Sequence, residues 1–201
     1  MKHPDFYKEV TPIRLYDPLS DFLGALEDGV IEITYLDCVK LAGHSCPTVA
    51  GAYLMAQEGL KALYKDETPQ RGDIKVEMRD GVEEAVTGVT ANIIAYIVGA
   101  GEKGGFKGIQ TKFNRANLLS FNADISQEVR VTRVDTNQSV SLSYNPSSIK
   151  ADERVMPLMG KNLKGLASKE EKTLFNSLWQ KRVEDILLST NLHSEIIVVR
   201  L

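Results

Sequence analysis

The sequence predicts an α+β protein in which a mostly antiparallel sheet packs against helices. Three features carry that prediction. Short segments with strand character follow one another between Leu118 and Tyr144. A helical pattern much longer than those segments begins at Pro47. Strands and helices are mixed, with a meander of antiparallel strands that disfavours a doubly wound sheet. The 201 residues suffice for one good-sized core. Residues 1–29 are expected as an N-terminal arm with a short helix, and residues 30–201 as a single core domain.

The elements follow in order. The first fifteen or so residues are mixed and interrupted by Pro4 and Pro12. Asp17 followed by Pro18 is a cap and first-turn pair, predicting a short helix from Pro18 to Leu26. Asp28-Gly29 marks a turn. Thr34-Tyr35-Leu36-Asp37 is a capping box that opens a helix from Tyr35 to Ala42, and Gly43 closes it in the left-handed conformation. Pro47 suits the first turn of a helix running to about Tyr64, with Val49, Tyr53, Ala56, Leu60 and Leu63 on one face. Ala50, Gly51 and Ala52 are small enough to let another element approach closely.

Ile74, Val76 and Met78 alternate with charged residues, the pattern of a half-buried strand. Val86, Val89, Ile93 and Ile97 predict a helix over Glu83 to Val98, terminated by Gly99 and Gly101. Gly101 to Gly108 is glycine-dense but lacks the Lys-Ser/Thr ending and the following helix of a phosphate loop. A tight turn is the favoured reading. The alternative is a cradle of backbone amides around an anion, aided by Lys107, Lys112 or Arg115. Leu118 to Phe121, Glu128 to Val134 and Ser139 to Tyr144 read as strands, with a hairpin turn at Asp135 to Gln138. Asn145 to Gly165 is polar, contains Pro146 and Pro157, and is predicted as a surface loop. Ser168 to Glu171 is a second capping box. Its helix, to Ser189, turns Leu174, Leu178, Val183, Ile186 and Leu187 inward with Trp179 beside them. The β-branched run Ile196 to Val199 predicts a closing, buried strand.

Lys and Arg number 24 against 27 Asp and Glu, a net charge of −3, which argues against nucleic acid as partner. The longest membrane-span candidate, Ile93 to Val98, is far short of the roughly 18 apolar residues required. No apolar stretch follows Met1-Lys2-His3, so a cytoplasmic protein without membrane contact is expected. In that compartment Cys38 and Cys46 are expected as free thiols.

Chemistry concentrates in Gly43-His44-Ser45-Cys46-Pro47. Cys46 sits at a helix start, where exposed N–H groups favour a thiolate. His44 is two residues away, so an imidazole and a thiolate can face one pocket as ligands of a zinc-like ion. A tetrahedral ion needs more donors, and Asp37, Cys38, His193 or a residue of the central strands are the candidates. Two other readings stand beside this one. Cys46 is then a nucleophile with His44 as its base, or the turn is a packed corner without chemistry.

The stretch Leu41-Ala42-Gly43-His44-Ser45-Cys46-Pro47-Thr48-Val49-Ala50-Gly51 resembles the FmdE-like family, which takes its name from formylmethanofuran dehydrogenase. Glu84 to Asn92 followed by Gly105-Phe106-Lys107-Gly108 resembles a divergent branch of the same core, and the likeness covers roughly residues 30 to 145. It implies an α+β core, commonly a homodimer, with a metal or active site at His44 and Cys46. It also implies that the helix carrying Asn92 lines the pocket, with Asn92 as a polar contact for the ligand; Lys107 is the cation expected to bind with it if the glycine loop cradles an anion. Ala42 stands where many members have a second His, and the cysteines of their C-terminal zinc ribbon are absent, so a zinc-ribbon activity does not carry over. The resulting expectation is a zinc-binding protein that binds or transforms a small molecule at His44 and Cys46. The alternative is a non-catalytic subunit or adaptor of a larger one-carbon or redox enzyme complex, with the Trp179 helix as a dimer surface.

Overall fold

The computed structural model describes residues 2–200. Strand β1 (Ile13–Tyr16) pairs antiparallel with β2 (Val30–Ile33), and helix α1 (Pro18–Phe22) lies between them. Asp17 caps α1 as predicted, accepting from the N–H groups of Leu19 and Ser20 at 3.1 Å each. The helix stops short of Leu26 because Gly24 takes a φ of +64° and turns the chain. Phe6, Tyr7, Val10, Ile13 and Leu15 are all buried in the main hydrophobic core.

Helix α2 (Tyr35–Ala42) has the complete capping box and ends at Gly43, whose φ is +74°. The long helix α3 (Pro47–Tyr64) buries Val49, Tyr53, Ala56, Leu60 and Leu63 on the predicted face. Next come β3 (Ile74–Met78), α4 (Thr87–Val98), β4 (Leu119–Ser120), β5 (Val129–Arg133) and β6 (Ser139–Tyr144). The chain closes with α5 (Val155–Leu163), α6 (Lys169–Leu188), the single turn α7 (His193–Ile196) and β7 (Ile197–Arg200). The main sheet runs in the order β4-β3-β5-β6-β7, antiparallel throughout except for the β3–β4 pair. The predicted α+β class with a mostly antiparallel sheet is the fold observed.

Helix α3 lies across this sheet, and its small residues permit the contact. A Cβ on Gly51 would fall 2.4 Å from the Tyr144 ring of β6. One on Gly59 would fall 3.2 Å from Leu142 and Val131.

Besides α1, five elements depart from the sequence expectation, each for a local reason. Helix α4 starts at Thr87 rather than Glu83, because Ala85 holds a φ of +46° that no helix admits. Val86, expected on the helix's apolar face, is therefore exposed. β4 is only two residues long, bracketed by the left-handed residues Asn117 and Asn122, and it pairs parallel with β3. The expected loop at 145–165 contains α5; Pro157 sits in its first turn, where a missing N–H costs nothing. Leu174 is exposed rather than inward, since the first half of α6 packs on α5 and only its second half reaches the core. β7 is an edge strand with Val198 and Val199 partly exposed, not a buried one.

Candidate binding cleft

The turn between α2 and α3 is clamped from outside by α6. The Ser45 hydroxyl lies 3.0 Å from the Tyr35 hydroxyl and donates to Gln180 Oε1 at 3.1 Å. The Ser45 carbonyl accepts from Trp179 Nε1 at 3.0 Å and from Gln180 Nε2 at 3.4 Å. Trp179 thus commits its indole N–H within its own chain. With Ser45 fixed on this side, its two neighbours meet different surroundings. Cys46 is buried among core side chains at the cap position of α3. His44 is exposed and lines a cleft.

The His44 ring is held in one tautomer. Its Nδ1 lies 2.9 Å from the Ala42 carbonyl, which can only accept. Nδ1 therefore carries the proton in the neutral ring, and Nε2 keeps a lone pair free.

The cleft has a volume of about 730 Å³ and lies between the end of α2, the helix α4 and the Gly99–Phe106 loop. Val89, Ile93, Phe106 and Leu119 give it apolar walls, and Asn92 presents its exposed side chain there. Two guanidinium groups, Arg71 and Arg115, also line it. Both bind the buried carboxylate of Asp17, Arg71 through Nη1 at 3.0 Å and Arg115 through Nη2 at 2.6 Å. Burial alone would raise the Asp17 pKa. The Ser20 N–H bond, the Arg71 hydrogen bond and the two positive charges outweigh it and hold the carboxyl below its usual range.

The glycine loop is a tight turn with a structural task. Arg115 donates its N–H to the Phe106 carbonyl at 2.7 Å and accepts from the Gly101 N–H at 2.8 Å. A Cβ on Gly101 would lie 2.9 Å from the Arg115 carbonyl oxygen, and one on Gly105 would lie 2.6 Å from it. Glycine is required because Arg115's backbone passes directly against the loop. Lys107, on this loop, is exposed and lies outside the cleft lining.

Both the turn and the cleft fall within residues 41–192, which match the family model described as FmdE, molybdenum formylmethanofuran dehydrogenase operon. The chain belongs to the FmdE family. Comparison with curated proteins returned no match. Among the described residues of this FmdE protein, no helix is long and apolar enough to cross a membrane.

Of the site residues expected from sequence, the FmdE fold brings His44 and Asn92 into one cleft. It does not gather the four expected metal ligands there. Cys38 is fully buried, and that burial, with the nearby Asp37 charge, pushes its thiol up to about 12. It lies outside the cleft lining. Asp37 is spent on the capping box, accepting from the Thr34 N–H and hydroxyl and from Lys40. His193 borders a different groove, between the start of the chain and β7, with its Nε2 buried. Among the described residues no group of three or more His, Cys, Asp or Glu side chains is placed to hold a metal. His44 and Cys46 alone fall short of the donor set of a closed zinc site. Asp17 is legible in the sequence only as a helix cap and Arg71 not at all, because their pairing spans 54 residues and no local pattern encodes it.

Proposed function

We propose that this FmdE-family protein binds a small organic molecule in the cleft beside His44, with the free Nε2 accepting a hydrogen bond or a proton from it. The fixed tautomer of His44 is the observation that carries this reading. A neutral imidazole with one nitrogen tied to a carbonyl presents a directed base to whatever fills the cleft. Apolar walls with a few polar groups are the usual lining of a small-molecule site. The family description supports a role in a formylmethanofuran dehydrogenase context, and a larger enzyme complex is the partner proposed for it.

A screen of small fragments by protein NMR tests the site. His44→Ala is expected to weaken fragments that contact Nε2 about tenfold, the scale of one lost hydrogen bond. Asn92→Trp should fill the cleft and abolish their binding. Fragments that bind both variants as they bind the wild type would show that the site lies elsewhere.

The free Nε2 also favours a second reading, a zinc-like ion. Such an ion would take His44 and Cys46 from this chain and its other donors from ligand, water or a second copy of the chain. Metal analysis after purification without added metal decides it. The reading expects zinc in the wild type and its loss in a His44→Ala, Cys46→Ser double mutant; equal content in both removes it.

A further inference from the structure

We propose that the cleft's ligand carries an oxyanion, a carboxylate or a phosphate, and that Arg115 binds it. This rests on the reading of the cleft as a ligand site and names the class of molecule it takes.

Two positive side chains face one buried carboxylate at the cleft wall, so the cluster of Arg71, Arg115 and Asp17 retains one positive charge. The two arginines differ in what they have left to give. Arg71 is spent: Nη1 goes to Asp17, Nε to the Ile97 carbonyl at 3.1 Å, and Nη2 to the Tyr96 carbonyl at 2.8 Å. Arg115 donates only through Nη2 among the described residues. Its Nε lies against Gly72, and its Nη1 has no hydrogen-bond partner among the described residues, on a side chain that is 17% exposed and also borders a second groove with Asp73. A guanidinium held this far from water gains most from an anionic partner, because charge-assisted bonds strengthen as the surroundings dry.

The residue is also fixed in advance. Both its backbone polar groups are bonded into the glycine loop, and Asp17 holds the far end of its side chain. A recognition group ordered before binding loses little entropy when the ligand arrives. Among the described residues that line the cleft, Glu102 is the one carboxylate, and it is solvent-exposed, where screening weakens its repulsion of an anion. The apolar walls suit a molecule with a hydrocarbon or aromatic body, and His44 lines the same cleft.

Benzoate, phenyl phosphate and uncharged benzamide are suitable probes, titrated into the full chain and followed by NMR. In the wild type at least one anion should bind about tenfold or more tightly than benzamide, the scale of a charge-assisted hydrogen bond. The stronger of the two identifies carboxylate or phosphate. Arg115→Met should erase that preference, bringing the anion's affinity down to that of benzamide in the same variant. Because this variant also deprives Asp17 of a partner, the wild type supplies an independent readout. The Arg115 Nε–H resonance should shift with the anion and stay in place with benzamide. An anion preference that survives Arg115→Met, or an Arg115 resonance indifferent to the anion, overturns the proposal. If all three probes bind alike in the cleft, the oxyanion inference fails and the cleft reading stands. If none binds, both fail.

Discussion

Asp17→Ala is expected to destabilise the protein by about 3–5 kcal/mol, the cost of stripping a buried pair of one partner. The Asp17 side chain is 2% exposed and serves four donors at once. Its loss leaves Arg71 and Arg115 confronting each other without a counter-charge, and the Leu19 and Ser20 N–H groups without an acceptor. The lost cap alone accounts for about 1 kcal/mol. The rest comes from two positive charges that water barely reaches. Asp17→Asn keeps the shape and isolates the charge, and its pH dependence has a definite sign. The folded carboxyl titrates below its ordinary value, so its stabilisation is complete above about pH 4 and is lost as pH falls through the lower folded value. Urea unfolding should therefore show a large gap between wild type and Asp17→Asn at pH 7. The gap should narrow as the medium becomes more acid than about pH 4. A gap that stays constant from neutral to acid pH would falsify the ion-pair account.

How much of this was legible in the sequence depended on whether a residue's partner lay nearby along the chain. Thr34 with Asp37, Ser168 with Glu171, and Asp17 with Pro18 are local grammars, and all three helix starts fall where those residues put them. β6 and the buried face of α3 were legible for the same reason, since periodicity is local. The misses were contextual. Nothing in the β-branched run ending the chain distinguishes an edge strand from a buried one; the position of β7 beside β6 alone decides it. Pro157 reads as a loop marker unless the helix start is already known. The cleft lining includes His44 and Asn92, both named from the sequence, and Arg115, one of three cations the sequence offered for the glycine loop. The sequence grouped His44 with Cys38 and His193 by residue type, and the fold separates them. Sequence proximity likewise suggested that His44 and Cys46 share a pocket. In the fold His44 lines the cleft, and Cys46, two residues on, is buried at the cap of α3.

Gly51→Val is expected to cost about 3 kcal/mol, at the upper end of ordinary overpacking. Helix propensity alone gives the opposite sign, because glycine is a poorer helix former than valine. Packing decides between them. The first added carbon would meet the Cδ1 and Cε1 atoms of Tyr144 at 2.4 Å. That contact lies on an aromatic ring, which has no flexible end to swing aside, so helix or strand must move. Because α3 carries Cys46 at its start and crosses β6, such a shift should also loosen the turn that α6 clamps. The collision belongs to one pair of residues and should be relieved from the other side. Tyr144→Ala in the Gly51→Val background should recover part of the lost stability, giving a favourable coupling energy of about 1 kcal/mol or more in a double-mutant cycle. Thermal unfolding of the four proteins measures it. Strict additivity, or a Gly51→Val protein as stable as the wild type, would mean that α3 does not press against β6 at this point.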